Sequence, residues 1–162
     1  MKKSLIIVIS AIILLVGTYT FIKFNPPLSA YSSGYAMDRK VLLVEIGNKS
    51  PIGNLKIEEI LVNNNDSPLQ LKVQVSHHMQ GFVISDNFDR EVESEYTFED
   101  LETTVIQPNT DPQKQINKVK DGTATEEDII YALSFIHEES INQVTIKYRH
   151  LGISHKKTLF MN

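Results

Sequence analysis

Residues 69–76 read LQLKVQVS. Leu69, Leu71, Val73 and Val75 alternate with Gln70, Lys72, Gln74 and Ser76, so an extended chain sorts its apolar and polar side chains onto opposite faces. That alternation predicts an antiparallel sheet with one face on a core and the other in water. The preceding Asn63-Asn64-Asn65-Asp66-Ser67-Pro68 is a dense turn signal. It separates this strand from a second apolar run, LKIEEILV (55–62).

The same reading extends in both directions. KVLLVEIG (40–47) ends at Gly47 and the turn residues Asn48 to Gly53. Downstream, GFVIS (81–85) and TTVIQ (103–107), the latter stopped by Pro108, are strand candidates. VTIKYR (144–149) sets Val144, Ile146 and Tyr148 against Thr145, Lys147 and Arg149, and KTLF (157–160) closes the sheet.

Two segments depart from this pattern. TDPQKQINKVKDG (110–122) predicts a short surface helix, with Asp111 as N-cap, Pro112 at the first helical position and Gly122 as the stop. EEDIIYALSFIHEES (126–140) fits both periods. Thr125 with Asp128 imitates a capping box, and Ile129, Ala132, Leu133 and Ile136 make a helical stripe. Ile129, Tyr131, Leu133 and Phe135 make an equally good strand face. Strand is favoured, because VTIKYR needs a partner and HEESIN (137–142) reads as the hairpin joining the two.

About seven short strands between Asn, Gly, Pro and Ser turns predict a mainly β fold: an antiparallel β-sandwich over residues 39–162. An immunoglobulin-like order is one form it can take, although the Cys–Trp–Cys hallmark is missing.

Ahead of the sandwich, residues 4–22 (SLIIVISAIILLVGTYTFI) are apolar and uncharged, long enough as a helix to cross a bilayer. Tyr19, Phe21, Phe24 and Lys23 suit the interface at its far end. A cleaved signal peptide is the competing reading, since Lys2 and Lys3 make a basic n-region. The run exceeds the usual apolar region of a signal, and the best cleavage site, Leu28-Ser29-Ala30, places a bulky leucine where a small residue belongs. The segment therefore reads as an uncleaved anchor, with residues 1–3 as a cytoplasmic tail and the rest outside. Residues 23–38, with Pro26-Pro27 and then Ser, Gly and Ala without period, read as an extracytoplasmic stalk.

Composition sharpens the function classes. The 162-residue chain has a net charge of −4 and no cysteine. Three lysines in residues 1–23 leave 13 basic and 20 acidic side chains beyond them, a balance of −7. Such a domain argues against nucleic acid as its main partner. The missing cysteines exclude disulfides, thiol catalysis, iron–sulfur clusters, thiolate zinc sites and attachment of lipid to cysteine.

Residues 86–102 hold eight acids (Asp86, Asp89, Glu91, Glu93, Glu95, Glu99, Asp100, Glu102) against Arg90. Calcium is the functional reading, but no EF-hand spacing or turn glycine is present, and a solvated edge segment is the ordinary explanation. His77-His78-Met79 offers soft metal ligands, yet neighbours on a strand face opposite ways. His137, His150 and His155 join them only if the fold gathers them. The carboxylate pairs Glu58-Glu59, Glu126-Glu127 and Glu138-Glu139 read as solvated neighbours. No hydrolase, zinc-protease or phosphate-loop motif occurs, so no catalytic or cofactor-binding residue is assigned. Asn48-Lys49-Ser50 and Asn65-Asp66-Ser67 match the glycosylation pattern.

The stretch Ile141 to Ile153 (INQVTIKYRHLGI), behind a single N-terminal anchor, resembles small uncharacterised single-pass membrane-anchored proteins of Gram-positive spore-forming bacteria. The resemblance implies an extracytoplasmic β-rich domain and carries no activity to transfer. The expectation is thus a non-enzymatic binding module at the cell envelope, taking an unidentified protein, peptide or envelope ligand. Metal binding (calcium or copper) and a hydrolase whose site forms only in three dimensions are the alternatives.

Overall fold

The computed structural model describes residues 2–88 and 95–161. Helix α1 (Lys2–Phe24) comes first. Its Leu5–Phe24 stretch, 20 residues of mean hydropathy 2.6 and none of it buried, is long and apolar enough to cross a membrane. The hydroxyls of Thr18 and Thr20 bond back to the Leu14 and Val16 carbonyls at 2.8 and 2.9 Å, so these two polar side chains are satisfied within the helix.

Nine strands follow: β1 (Leu28–Ala36), β2 (Val41–Asn48), β3 (Leu55–Val62), β4 (Gln70–His77), β5 (Thr97–Glu99), β6 (Val105–Ile106), β7 (Ile129–Ile136), β8 (Gln143–His150) and β9 (Ile153–Phe160). Helix α2 (Pro112–Lys120) lies between β6 and β7. The strands form two antiparallel sheets, β1-β2-β7-β4-β5 and β6-β3-β8-β9. One continuous core joins them. Leu42, Val44, Leu133 and Phe135 of the first sheet share it with Leu55, Ile57, Val144 and Ile146 of the second. The strand orders β1-β2-β7-β4 and β3-β8-β9 match those of the two sheets of a constant-type immunoglobulin sandwich, with residues 78–128 as a long insertion before β7.

Strand β7 explains the double periodicity of 126–140. It is central, between β2 and β4, and Ile130 to Phe135 are all buried, so both faces are apolar and alternation disappears. The Thr125–Asp128 pair does form the bond of a capping box, Thr125 N–H to Asp128 Oδ2 at 2.9 Å, but it closes a turn and no helix follows. Helix α2 starts and stops where its sequence indicated. The Asp111 carboxylate accepts from the Gln113 amide at the N-terminus, and Gly122, in the left-handed region, bonds back to Val119.

Four expectations are corrected. Residues 23–38 are no stalk, because 28–36 form β1, paired along β2. An edge strand is held by its ladder, and six of the nine residues of β1 are Ser, Ala or Gly and give no apolar alternation, with a register shift at Ser32/Gly34 that breaks what pattern there is. The sandwich therefore begins near residue 28, ahead of 39. HEESIN is no hairpin either: residues 137–142 cross from β7 in one sheet to β8 in the other, and fully buried Ile141 plugs the crossing.

GFVIS (81–85) is not a strand. The polar face of LQLKVQVS is also not wet. Gln74 and Ser76 are buried, while Leu69 falls outside β4 and is exposed. The two corrections have one cause. The Gln74 carboxamide donates to the Val83 carbonyl at 2.7 Å and accepts from the Val83 N–H at 3.0 Å, so one side chain does the work of a neighbouring strand. It lays residues 81–85 across the outside of the five-stranded sheet. Ile84 reaches over Gly34 of β1, where a Cβ would collide with it. Beneath this cover Val41, Leu43, Ile130 and Ala132 are buried outside the main core. The outer face of the four-stranded sheet is the solvated one, with Glu58–Arg149 and Glu59–Lys147 ion pairs along it.

Candidate functional site

The covered outer face holds a carboxylate. Glu45 lies on β2 opposite Ala132, in one row with Gln74 of β4 and Tyr31 of β1. Burial pushes its carboxyl above the usual carboxylate value, against the opposing pull of the Ser33 hydroxyl, which donates at 3.2 Å, and of His78. Between the ordinary value of 4.5 and the raised folded value, the folded chain binds the extra proton, so stability falls as pH rises through that window. Glu45→Gln is accordingly expected to raise the melting temperature at pH 7. The gain should vanish below the ordinary carboxylate value, where Glu45 is protonated in both states; thermal melts against pH check it.

At the end of the sandwich nearest α1, the β8–β9 hairpin and β1 assemble a polar group. Tyr148 and His155 stand opposite each other in the ladder, their rings stacked at 5.2 Å. Burial pushes the Tyr148 phenol up to about 12, against the opposing pull of the Leu28 backbone. Lys157 donates to the Leu28 carbonyl at 3.3 Å. Its ammonium is held below the usual lysine value by burial, with the Lys49 charge adding to the effect and Asp111 opposing it. Buried His150 meets the Ile52 carbonyl through Nε2 at 3.0 Å, leaving Nδ1 unpartnered. Asp111, besides capping α2, accepts from buried Ser29 of β1 at 2.9 Å.

The opposite end carries a different surface. The β1–β2 turn holds Met37, Asp38 and Arg39 in succession in the left-handed region, at φ of 50, 54 and 67°. Each non-glycine residue there costs about 1–2 kcal/mol. The crossing 137–142 holds the turn in place: Ile141 N–H bonds to the Arg39 carbonyl, His137 N–H to that of Lys40, and the Ser140 hydroxyl to that of Asp38. The Arg39 guanidinium reaches the Met161 carbonyl and lies over the Tyr35 ring. Beside them the Asn63 amide spans the two sheets' loops, donating to Ser140 O at 3.1 Å and accepting from Asn142 N–H at 2.8 Å. The result is an open basin of about 360 Å3 lined by Asn63, Asn64, Glu139, Ser140, Asn142 and Gln143. Its lining is polar throughout.

The residues singled out in the sequence scatter. His77 ends β4 and His78 follows in the turn, each with one buried ring nitrogen unpartnered, while Met79 points to solvent. His137 lies at the far end, so the fold gathers only His150 and His155, whose charges oppose each other. Among the described residues no three His, Cys, Asp or Glu side chains come together as a metal site. Of the acidic stretch, Thr97–Glu99 form β5 at the sheet edge, Glu99 accepts from Thr104, and Asp100 pairs with Lys72. Asp89, Glu91 and Glu93 lie outside the described residues. Glu126 and Glu127 precede β7 in an exposed turn. The Asn48 sequon is buried, its amide spent on the Gly53 carbonyl and the Ser50 N–H, whereas Asn65 is exposed.

Sequence reasoning missed the Tyr148–His150–His155–Lys157 group. A signal existed: Leu151-Gly152 between two alternating runs marks a two-residue hairpin, which places His155 opposite Tyr148. No family model matches the chain, and no curated protein matches it.

Proposed function

We propose that α1 anchors the chain in a membrane as a single span, with residues 1–3 in the cytoplasm and the sandwich outside. We further propose that the sandwich is a non-enzymatic, immunoglobulin-like binding module of the cell envelope. The basin at the end away from α1 is its recognition surface for a protein, peptide or envelope component. The observation that carries the reading is the crossing 137–142, whose Ser140 and Asn142 line the basin with Asn63 and Asn64 and which is hydrogen-bonded to the strained turn 37–40 with its three consecutive left-handed residues. Strain of this kind persists where the surroundings over-determine it, and it concentrates at ligand clamps and switches. Rigid loops carried by a scaffold are the usual seat of recognition. An amide-rich lining suits a ligand with many hydrogen-bonding groups.

Photo-crosslinking in intact cells tests it. A photoreactive residue at Asn64 is expected to give discrete adducts, and one at Lys156, exposed on β9, is not. Equal capture at both positions, or none at Asn64, overturns the proposal.

A further inference from the structure

A groove of about 630 Å3 runs between the end of α1 and the nearest loops of the sandwich. Thr18, Phe21 and Ile22 form one wall, and residues 49–52 with His150 and Leu151 form the other. Thr18 lies six residues before Phe24, so this wall extends down the helix by roughly 9 Å. With α1 across a bilayer, that depth is the headgroup layer and the start of the acyl chains.

The chemistry of the groove is divided. Most of its lining is apolar, and Ile52 and Leu151 stay largely exposed at its rim, at 64% and 47%. Leu151 occupies the first position of the two-residue β8–β9 turn, with φ of 48° followed by 80° at Gly152. That position favours Asn, Asp or Gly, and a leucine there is an outlier, its side chain lying over Gly53 at the rim of the groove. Lys49 is the one lysine or arginine in the lining, which includes no acid. His150 lines the same groove, 4% exposed, its Nε2 held by the Ile52 carbonyl at 3.0 Å. Lys157 lies behind, close enough to Lys49 for their charges to interact.

We infer that this groove binds one anionic glycerophospholipid, with the phosphate at Lys49 and an acyl chain against Phe21, Ile22 and Ile52. The inference rests on the membrane reading, because only a spanning α1 brings lipid to the groove. It makes the rim of the sandwich a lipid-seated surface and fixes the domain against the bilayer, where a free stalk would leave it to tumble.

The full chain, purified in detergent, is titrated with phosphatidylglycerol, with phosphatidylcholine of the same chains, and with soluble glycerol phosphate, and read by native mass spectrometry. One phosphatidylglycerol per chain is expected, and Lys49→Gln should weaken it about fivefold, the weight of one lysine at an anionic surface. Exposed Lys49 should leave the melting temperature unchanged. Ile52→Ser with Leu151→Ser should weaken both lipids. Equal retention of the two lipids, indifference to Lys49→Gln, displacement by glycerol phosphate alone, or a chain dimer in place of lipid overturns the inference. An alkaline wash of membranes separates the two readings. A chain that washes out ends the membrane reading as well, and one that stays without lipid preference ends only this inference.

Discussion

A fragment beginning at Arg39 is expected not to fold, whereas one beginning at Pro26 melts cooperatively. The shorter fragment follows the boundary that composition suggests, and it removes β1. That strand pairs with β2 from Leu28↔Asn48 to Ala36↔Val41, and it places Leu28 and Ala30, at 1% and 3% exposure, in the core. It also holds three tethers: Ser29 to Asp111, Lys157 to the Leu28 carbonyl, and the Lys49 N–H to the Pro27 carbonyl. Burial of one leucine contributes about 1.5–3 kcal/mol, and a buried carboxylate left without its donor costs roughly 1–3 kcal/mol more. Losing these together removes much of a stability of about 5–15 kcal/mol for a domain of this size. The newly bare edge of β2, with buried Val41 to Val44 beside it, would also invite aggregation. Circular dichroism melts of the two fragments check the expectation; superimposable cooperative transitions contradict it.

The second large effect is expected at Phe135. Its side chain is fully buried in the central strand β7, facing Leu42 of β2 on one side and Leu71 of β4 on the other. Both neighbours are fixed by ladders, so the space left by truncation cannot collapse. Phe135→Ala should cost about 3–5 kcal/mol, the upper part of the range for rigid cores. Phe135→Leu, which keeps most of the volume, should cost clearly less. Urea unfolding of the Pro26 fragment measures both. Similar costs for Phe135→Ala and for Val119→Ala, on the exposed face of α2, would sink the account of the core.

What was legible in the sequence follows from the range of the forces involved. Strands β3 and β8 were readable because alternation reports one-sided burial locally, and β7 was readable as a compact apolar run with turn residues after it. Strand β1 was not, since its stability comes from β2 and from Asp111, 82 residues away from Ser29. The covered face of the five-stranded sheet was hidden for the same reason. Gln74 looks like a solvent residue until Val83 is placed against its amide. In the candidate sites the chemistry-bearing types drew attention to His77 and His78, whose strand-end geometry separates them. The groups that do meet, Tyr148 with His155 and Asn63 with Ser140 and Asn142, are joined by a hairpin and by a sheet-to-sheet crossing. The Asn63 pairing has no spacing that a motif could encode, whereas the Leu151-Gly152 hairpin does place His155 opposite Tyr148.

The lack of cysteine offers a direct test of the central claim, that α1 spans a membrane and carries the sandwich outside. Single cysteines at Lys3 and at Lys156, labelled in intact cells with a membrane-impermeant maleimide, report the side on which each lies. Labelling at position 156 without permeabilisation, labelling at position 3 only after it, and retention in the membrane through an alkaline wash are the expected results. The reverse pattern, or a chain released from the membrane with its N-terminal segment removed, contradicts the account.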